Sequence, residues 1–95
     1  MATPTLDPVS KTIKKEYPNY RVIVLNDDVN TFDHVVESLV RVLPGMGEKK
    51  AWKIAIHIHT TGSAVVWSGP QEQAEFYHSQ LSSLGLTMAP LEKEG

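Results

Sequence analysis

The chain has 95 residues, 41% of them apolar, and 9 Lys+Arg against 11 Asp+Glu leave a formal net charge of -2. That length bounds it to a single domain with a modest core. With Cys 0 it excludes disulfides, a thiol nucleophile and cysteine-based metal or iron-sulfur sites. The near balance of charge is not that of a dedicated nucleic-acid binder, whose affinity rests on phosphate contact.

Residues 1–18 carry Pro4, Pro8, Pro18 and several lysines with few large apolar groups, which reads as a flexible N-terminal arm. They hold no basic stretch followed by an apolar one, so no secretory signal is read there, and no apolar run approaches a membrane span. The expected location is cytoplasmic, or the plastid stroma if a transit segment has been removed.

The folded core is expected over residues 19–93. YRVIVL at 20–25 is β-branched and aromatic, with apolar residues on both parities, the pattern of an interior strand. Asn26, Asp27 and Asp28 stop it. A helix follows to about Leu43, with Asn30 or Thr31 as N-cap and Asp33 in the first turn. Its apolar stripe is Phe32, Val35, Val36, Leu39, Val40 and Leu43, and Pro44-Gly45 ends it. Residues 51–58 fit a helix or an alternating strand. The length of the segment to Thr60, its first turn and a stop at Gly62 favour the helix. Residues 64–68 read as a strand. Pro70 is expected at the first position of a third helix, with Ala74, Tyr77, Leu81 and Leu84 facing inward and Gly85 ending it. A last strand is expected over residues 86–91, at a sheet edge because it contains Pro90. The segment after it, residues 92–95, is expected to be loose, with 94–95 outside the core. The class is α+β, a two-layer sandwich of three helices on a three-stranded antiparallel sheet in the order β-α-α-β-α-β.

Asn26, Asp27 and Asp28 form a plain polar turn or, with two adjacent carboxylates beside a helix start, a seat for an ammonium group. His57 and His59 would share a face only in a strand; on a helix they diverge by about 200°. No cysteine or carboxylate stands at zinc-motif spacing from them, so no metal or other cofactor is expected. Ser63 and Ser68 lack a nucleophile elbow, and Gly45-Met-Gly lacks the lysine and hydroxyl of a nucleotide loop. The chain is therefore not expected to be an enzyme.

The blocks YRVIVLNDDVNTFDHV (20–35), AWKIAIHIH (51–59) and GSAVVW (62–67), in this order and spacing, resemble ClpS, the adaptor family of the ATP-dependent Clp protease, over about residues 20–93. The resemblance implies an adaptor that binds the free N-terminus of proteins with a large hydrophobic first residue (the N-degrons of the N-end rule). Such an adaptor hands them to the N-terminal domain of a Clp AAA+ chaperone, of ClpC or ClpA type, with no nucleic-acid or membrane partner. It implies α-amino ligands at Asn26, Asp27 and His59, with Asp28 and Asn30 as supporting polar residues. It puts the side-chain pocket on Phe32, Val35, Ala55 and Ile58, with Leu86 or Thr87 completing the wall. Phe32 and Ala55 stand where methionine is frequent in the family. Acid is expected to weaken binding by protonating Asp27 and by charging His59. The alternative is a non-catalytic docking or assembly domain of ribosomal-stalk-like fold. The two readings differ in whether Asn26, Asp27 and His59 border one cavity floored by Val35 and Ala55.

Overall fold

The computed structural model describes residues 17–94. The arm expected at residues 1–18 therefore lies outside the described residues except for Tyr17 and Pro18. The elements are β1 (Tyr20–Leu25), α1 (Phe32–Val42), α2 (Glu48–Thr61), β2 (Ser63–Gly69), α3 (Gln71–Ser83) and β3 (Glu92–Lys93). The sheet is antiparallel in the order β2-β1-β3. β1 is thus the central strand, and its apolar run has a cause. Val22 and Val24 are 0% and 1% exposed beneath the helices, while Arg21 points to Glu92 and Glu94.

The core joins Val22, Val24 and Val66 of the sheet to Val36 and Leu39 of α1, Ala51, Ala55 and Ile58 of α2, and Ala74 and Leu81 of α3. Between Val22 and Ile23 the register with β2 shifts: Val22 pairs with Trp67 and Ile23 with Val65. Val66 is the extra residue, a β-bulge. It lets β2 bury Val66 while Trp67 meets Tyr77 of α3 edge to face at 4.8 Å.

The helix ends account for much of the topology. Thr31, not Asn30, is the N-cap of α1, its hydroxyl accepting from the His34 N–H. Residues 51–58 are helical throughout, and the chain leaves α2 at Gly62 with φ 99°, a conformation open chiefly to glycine. α3 ends in a Schellman motif at Gly85, φ 96°. The Leu86 N–H donates to the Leu81 carbonyl and the Gly85 N–H to that of Ser82, with Leu81 and Leu86 both buried.

Three expectations need correction. Pro70 is the N-cap of α3, with φ -55° and ψ 148°, and Gln71 is the first helical residue. An extended ψ keeps Pro70 outside the helix. The last strand is not residues 86–91. Met88 makes only an isolated bridge to Val24, flanked by the Leu25 N–H donating to the Thr87 carbonyl at 2.8 Å and the Ala89 N–H to that of Ile23 at 3.1 Å. Pro90 has no N–H to continue that ladder, so regular pairing resumes only at Glu92 and Lys93. Those two residues were expected in a loose tail and instead form β3. The Glu94 N–H donates to the Asn19 carbonyl at 2.9 Å, and the Ser68 hydroxyl donates to its carboxylate.

Gly69 supplies a test of the packing. A Cβ placed there would run into the ring of Trp67, which is held against Tyr77. Gly69→Ala should destabilise the domain by about 1–3 kcal/mol, the usual cost of overpacking. The check is the urea midpoint at unchanged m-value, together with loss of the near-ultraviolet signal of Trp67.

Candidate functional site

After Leu25 the chain turns instead of extending, because Asp27 folds the backbone around its own side chain. Its Oδ1 accepts from the Val29 N–H at 2.8 Å and the Asn30 N–H at 2.7 Å, an Asx-type turn. Its Oδ2 accepts from Asn30 Nδ2 and from the Thr87 hydroxyl, both at 2.7 Å. Asn30 Nδ2 also donates to the Gly85 carbonyl at 3.0 Å. A carboxylate offers about four acceptor positions, so this one is fully engaged. The bond from the Asn30 backbone, followed by that from Thr87, holds the Asp27 carboxyl well below the ordinary value near 3.8, against a smaller opposing effect of burial.

Two more contacts set the loop against the helices. The Asn26 N–H donates to the Gly62 carbonyl at 2.9 Å, which brings Asn26 beside the last turn of α2, where His59 lies. His34 Nε2 is 2.7 Å from the Leu84 carbonyl. A carbonyl can only accept, so that nitrogen carries the proton. The start of α1 is thereby tied to the end of α3.

Between these elements lies a cavity of about 260 Å³. α1 contributes Phe32 and Val35, α2 contributes Ala55, Ile58 and His59, and the loop contributes Asn26, Asp27, Asp28 and Asn30. Leu86 and Thr87 close the side after α3. Ala55 and Ile58 are 3% and 4% exposed, so the floor is apolar and deep. Asn26, Asp28 and His59 stand exposed at the rim, and no hydrogen bond engages their side chains among the described residues. The ring of Phe32 meets His59 edge on at 5.2 Å within the cavity lining and Trp52, outside it, at 5.9 Å. His57 is exposed on α2 and does not border the cavity.

Every residue singled out from the sequence for the site therefore borders one cavity. Val24 and Leu25 border it too and were not foreseen. Their signal was their place as the last two residues of a strand that ends at the polar turn. The contributions of Gly85 and Leu84 through their carbonyls have no sequence signal beyond the helix stop.

The arrangement offers an apolar hollow the size of one side chain, below the range of about 300–1,000 Å³ common for larger ligands. Acceptors and a fixed negative charge stand at its mouth. It is suited to a group that is apolar at one end and cationic at the other. The expected loss of binding in mild acid through Asp27 does not follow from this geometry: its four donors keep it charged well below the ordinary carboxylate range.

The family model described as ATP-dependent Clp protease adaptor protein ClpS matches residues 15–91. The ATP-dependent Clp protease adapter protein ClpS of Synechocystis sp. is 56% identical over 92 residues, 97% of this chain and 94% of that protein. The protein of the same name from Nostoc sp. is 57% identical over 91 residues, 94% of each. Among solved structures, Agrobacterium tumefaciens ClpS2 bound to L-phenylalaninamide matches with a TM-score of 0.76 at 29% identity, covering 81% of this chain and 98% of that one.

The pull on Asp27 has a consequence for stability. The folded carboxyl titrates below the unfolded one, so its contribution is present above the ordinary value near 3.8 and is lost as pH falls through the folded value. Asp27→Asn should lower the urea midpoint at pH 7, and the gap to the native chain should shrink steadily below pH 4. A gap that is constant from pH 7 to pH 2.5 would show that the charge of Asp27 adds nothing to folding.

Proposed function

The chain belongs to the ClpS family of ATP-dependent Clp protease adaptors, and we propose that it binds the free N-terminus of proteins whose first residue is large and hydrophobic and delivers them to a Clp AAA+ chaperone. The observation that carries this reading is one cavity bordered both by Phe32, Val35, Ala55 and Ile58 and by Asn26, Asp27 and His59. An N-terminal residue is the one part of a polypeptide that presents a side chain and an α-ammonium group on the same carbon. The relative bound to L-phenylalaninamide holds a molecule of that chemistry, with an aromatic side chain, a free amine and an amide in place of the next peptide bond.

In this reading the first side chain fills the hollow and the ammonium group meets Asn26, His59 and the charge of Asp27. Asp28 and Asn30 support the loop and the peptide backbone, and Leu86 and Thr87 complete the wall. Burying one large side chain contributes about 1.5–3 kcal/mol, and each charged hydrogen bond about 1.5–3 kcal/mol. After association costs this suits micromolar or somewhat tighter binding, adequate for a carrier that must release its cargo. The protein acts without catalysis, and unfolding and cleavage belong to the partner. The chaperone's N-terminal domain is the docking partner, and the compartment is the one that houses the Clp machine.

The deciding experiment measures fluorescence polarisation of Leu-, Phe- and Trp-first peptides, each with a free and an acetylated N-terminus. Free peptides should bind and acetylated ones should not. Equal binding of both forms overturns the reading. In the same assay Ala55→Met adds three heavy atoms to the floor and should cost the Trp-first peptide about 1–3 kcal/mol, and the Leu-first peptide less. An equal factor for all three peptides would mean that Ala55 does not shape the pocket.

The N-terminal arm, residues 1–18, is assigned to delivery and not to recognition. Its support is a composition rich in proline and poor in large apolar side chains, placed ahead of a domain that encloses the cavity by itself. Deleting the arm should leave peptide affinity unchanged and abolish chaperone-driven degradation of a Phe-first substrate. Loss of both, or of neither, refutes the assignment.

A further inference from the structure

The wall residue Thr87 and the loop residue Asn30 do something that bordering a pocket does not require. Both donate to the same oxygen of Asp27, each at 2.7 Å, one from its own loop and one from the segment after α3. Thr87 is 60 positions away in the chain and is itself anchored, because its carbonyl accepts from the Leu25 N–H at 2.8 Å. Asn30 is anchored by its second bond, to the Gly85 carbonyl. With two backbone N–H groups on Oδ1, no acceptor position of Asp27 remains uncommitted. The side chains of Asn26, Asp28 and His59 border the same cavity and are exposed.

We propose that Thr87 and Asn30 are positioning residues that lock Asp27 as a fixed counter-charge at the cavity mouth. The proposal rests on the peptide-binding reading and refines it. A fully bonded carboxylate cannot swing toward an arriving cation, nor away from one. Its field at the cavity mouth is set before binding, so no reorganisation is needed when the ligand arrives. A free Asp27 would be a rotating acceptor competing for water, and the loop from Asn26 to Asn30 would lose the clamp that faces it toward Leu86 and Thr87. Asp28 and His59 are the other titratable groups bordering the cavity. His34, on α1, is committed to the Leu84 carbonyl.

The test uses Thr87→Val, which keeps the shape and removes the hydroxyl, and Thr87→Ser, which keeps the hydroxyl. Two quantities are read in each full-length protein. One is the affinity for a free-amine Phe-first peptide; the other is the titration midpoint of the Asp27 carboxyl carbon by NMR without ligand. Thr87→Val should weaken binding roughly tenfold, the scale of one hydrogen bond to a charged group. It should also move the Asp27 midpoint up toward the ordinary carboxylate value. Thr87→Ser should restore both. Weaker binding with an unmoved midpoint would make Thr87 a wall residue only and overturn the proposal, as would unchanged affinity. Asn30→Ala removes the other side-chain donor, should raise the same midpoint, and keeps the test decisive if Thr87→Val does not fold. If the native chain fails to distinguish free from acetylated peptides, the peptide-binding reading fails. The ligand-free titrations still decide whether Thr87 and Asn30 hold Asp27.

Discussion

The carboxylate of Asp27 ties residues that are 60 positions apart into one loop cluster, and that tie frames the polar mouth of the cavity. Its four donors hold the loop from Asp27 to Asn30, while Asn26 is held separately by its N–H on the Gly62 carbonyl. Such a cluster is costly to break, since each donor left without its acceptor faces a desolvation penalty. It also explains why an acidic residue stands just past the end of the most buried strand: its charge is satisfied by neighbouring donors and by Thr87 from 60 positions away.

Two glycines complete the same design. Gly62 ends α2 and its carbonyl receives the Asn26 N–H; Gly85 ends α3 and its carbonyl receives Asn30 Nδ2. Each helix stops in a left-handed residue, so each turns a backbone acceptor toward the loop after β1. Helix termini leave carbonyls without internal partners, and those of Gly62 at the end of α2 and Leu84 at the end of α3 are met by Asn26 and His34. The apolar half is built differently, by packing. Ala55 and Ile58 lie one turn apart on the buried face of α2, opposite Val35 of α1. The same face that closes the core also floors the hollow, so the pocket's depth is a property of the core.

Much of this was legible in the sequence because it follows from local rules. The apolar run of β1, the stripe of α1, the glycine stops and the turn-forming Asn26–Asp28 run each depend on neighbours within a few positions. The choice of helix for residues 51–58 rested on length and capping, and that choice put His59 on a helix end beside the turn. The resemblance to ClpS over residues 20–93 named the candidate site residues, and the structure brings all of them to one cavity. Where local rules misled, a single proline was responsible each time. Pro90 cut the last strand and moved regular pairing to Glu92 and Lys93, and Pro70 sat one residue outside the helix it introduces.

The sequence by itself determined the element order, the buried faces and the residue types of the site, because periodicity and turn chemistry act over a few residues and need no knowledge of the rest of the chain. Only the tertiary structure decided what Asp27 does. From the sequence it was an acceptor waiting for an ammonium group and open to protonation in mild acid. In the fold it is a saturated carboxylate held by Thr87 and Asn30, because a side chain's remaining capacity depends on partners that the chain brings in from far away. The bulge at Val66, the bond from His34 to Leu84 and the approach of Phe32 to both His59 and Trp52 were decided in the same way, by the packing of elements that no local pattern relates.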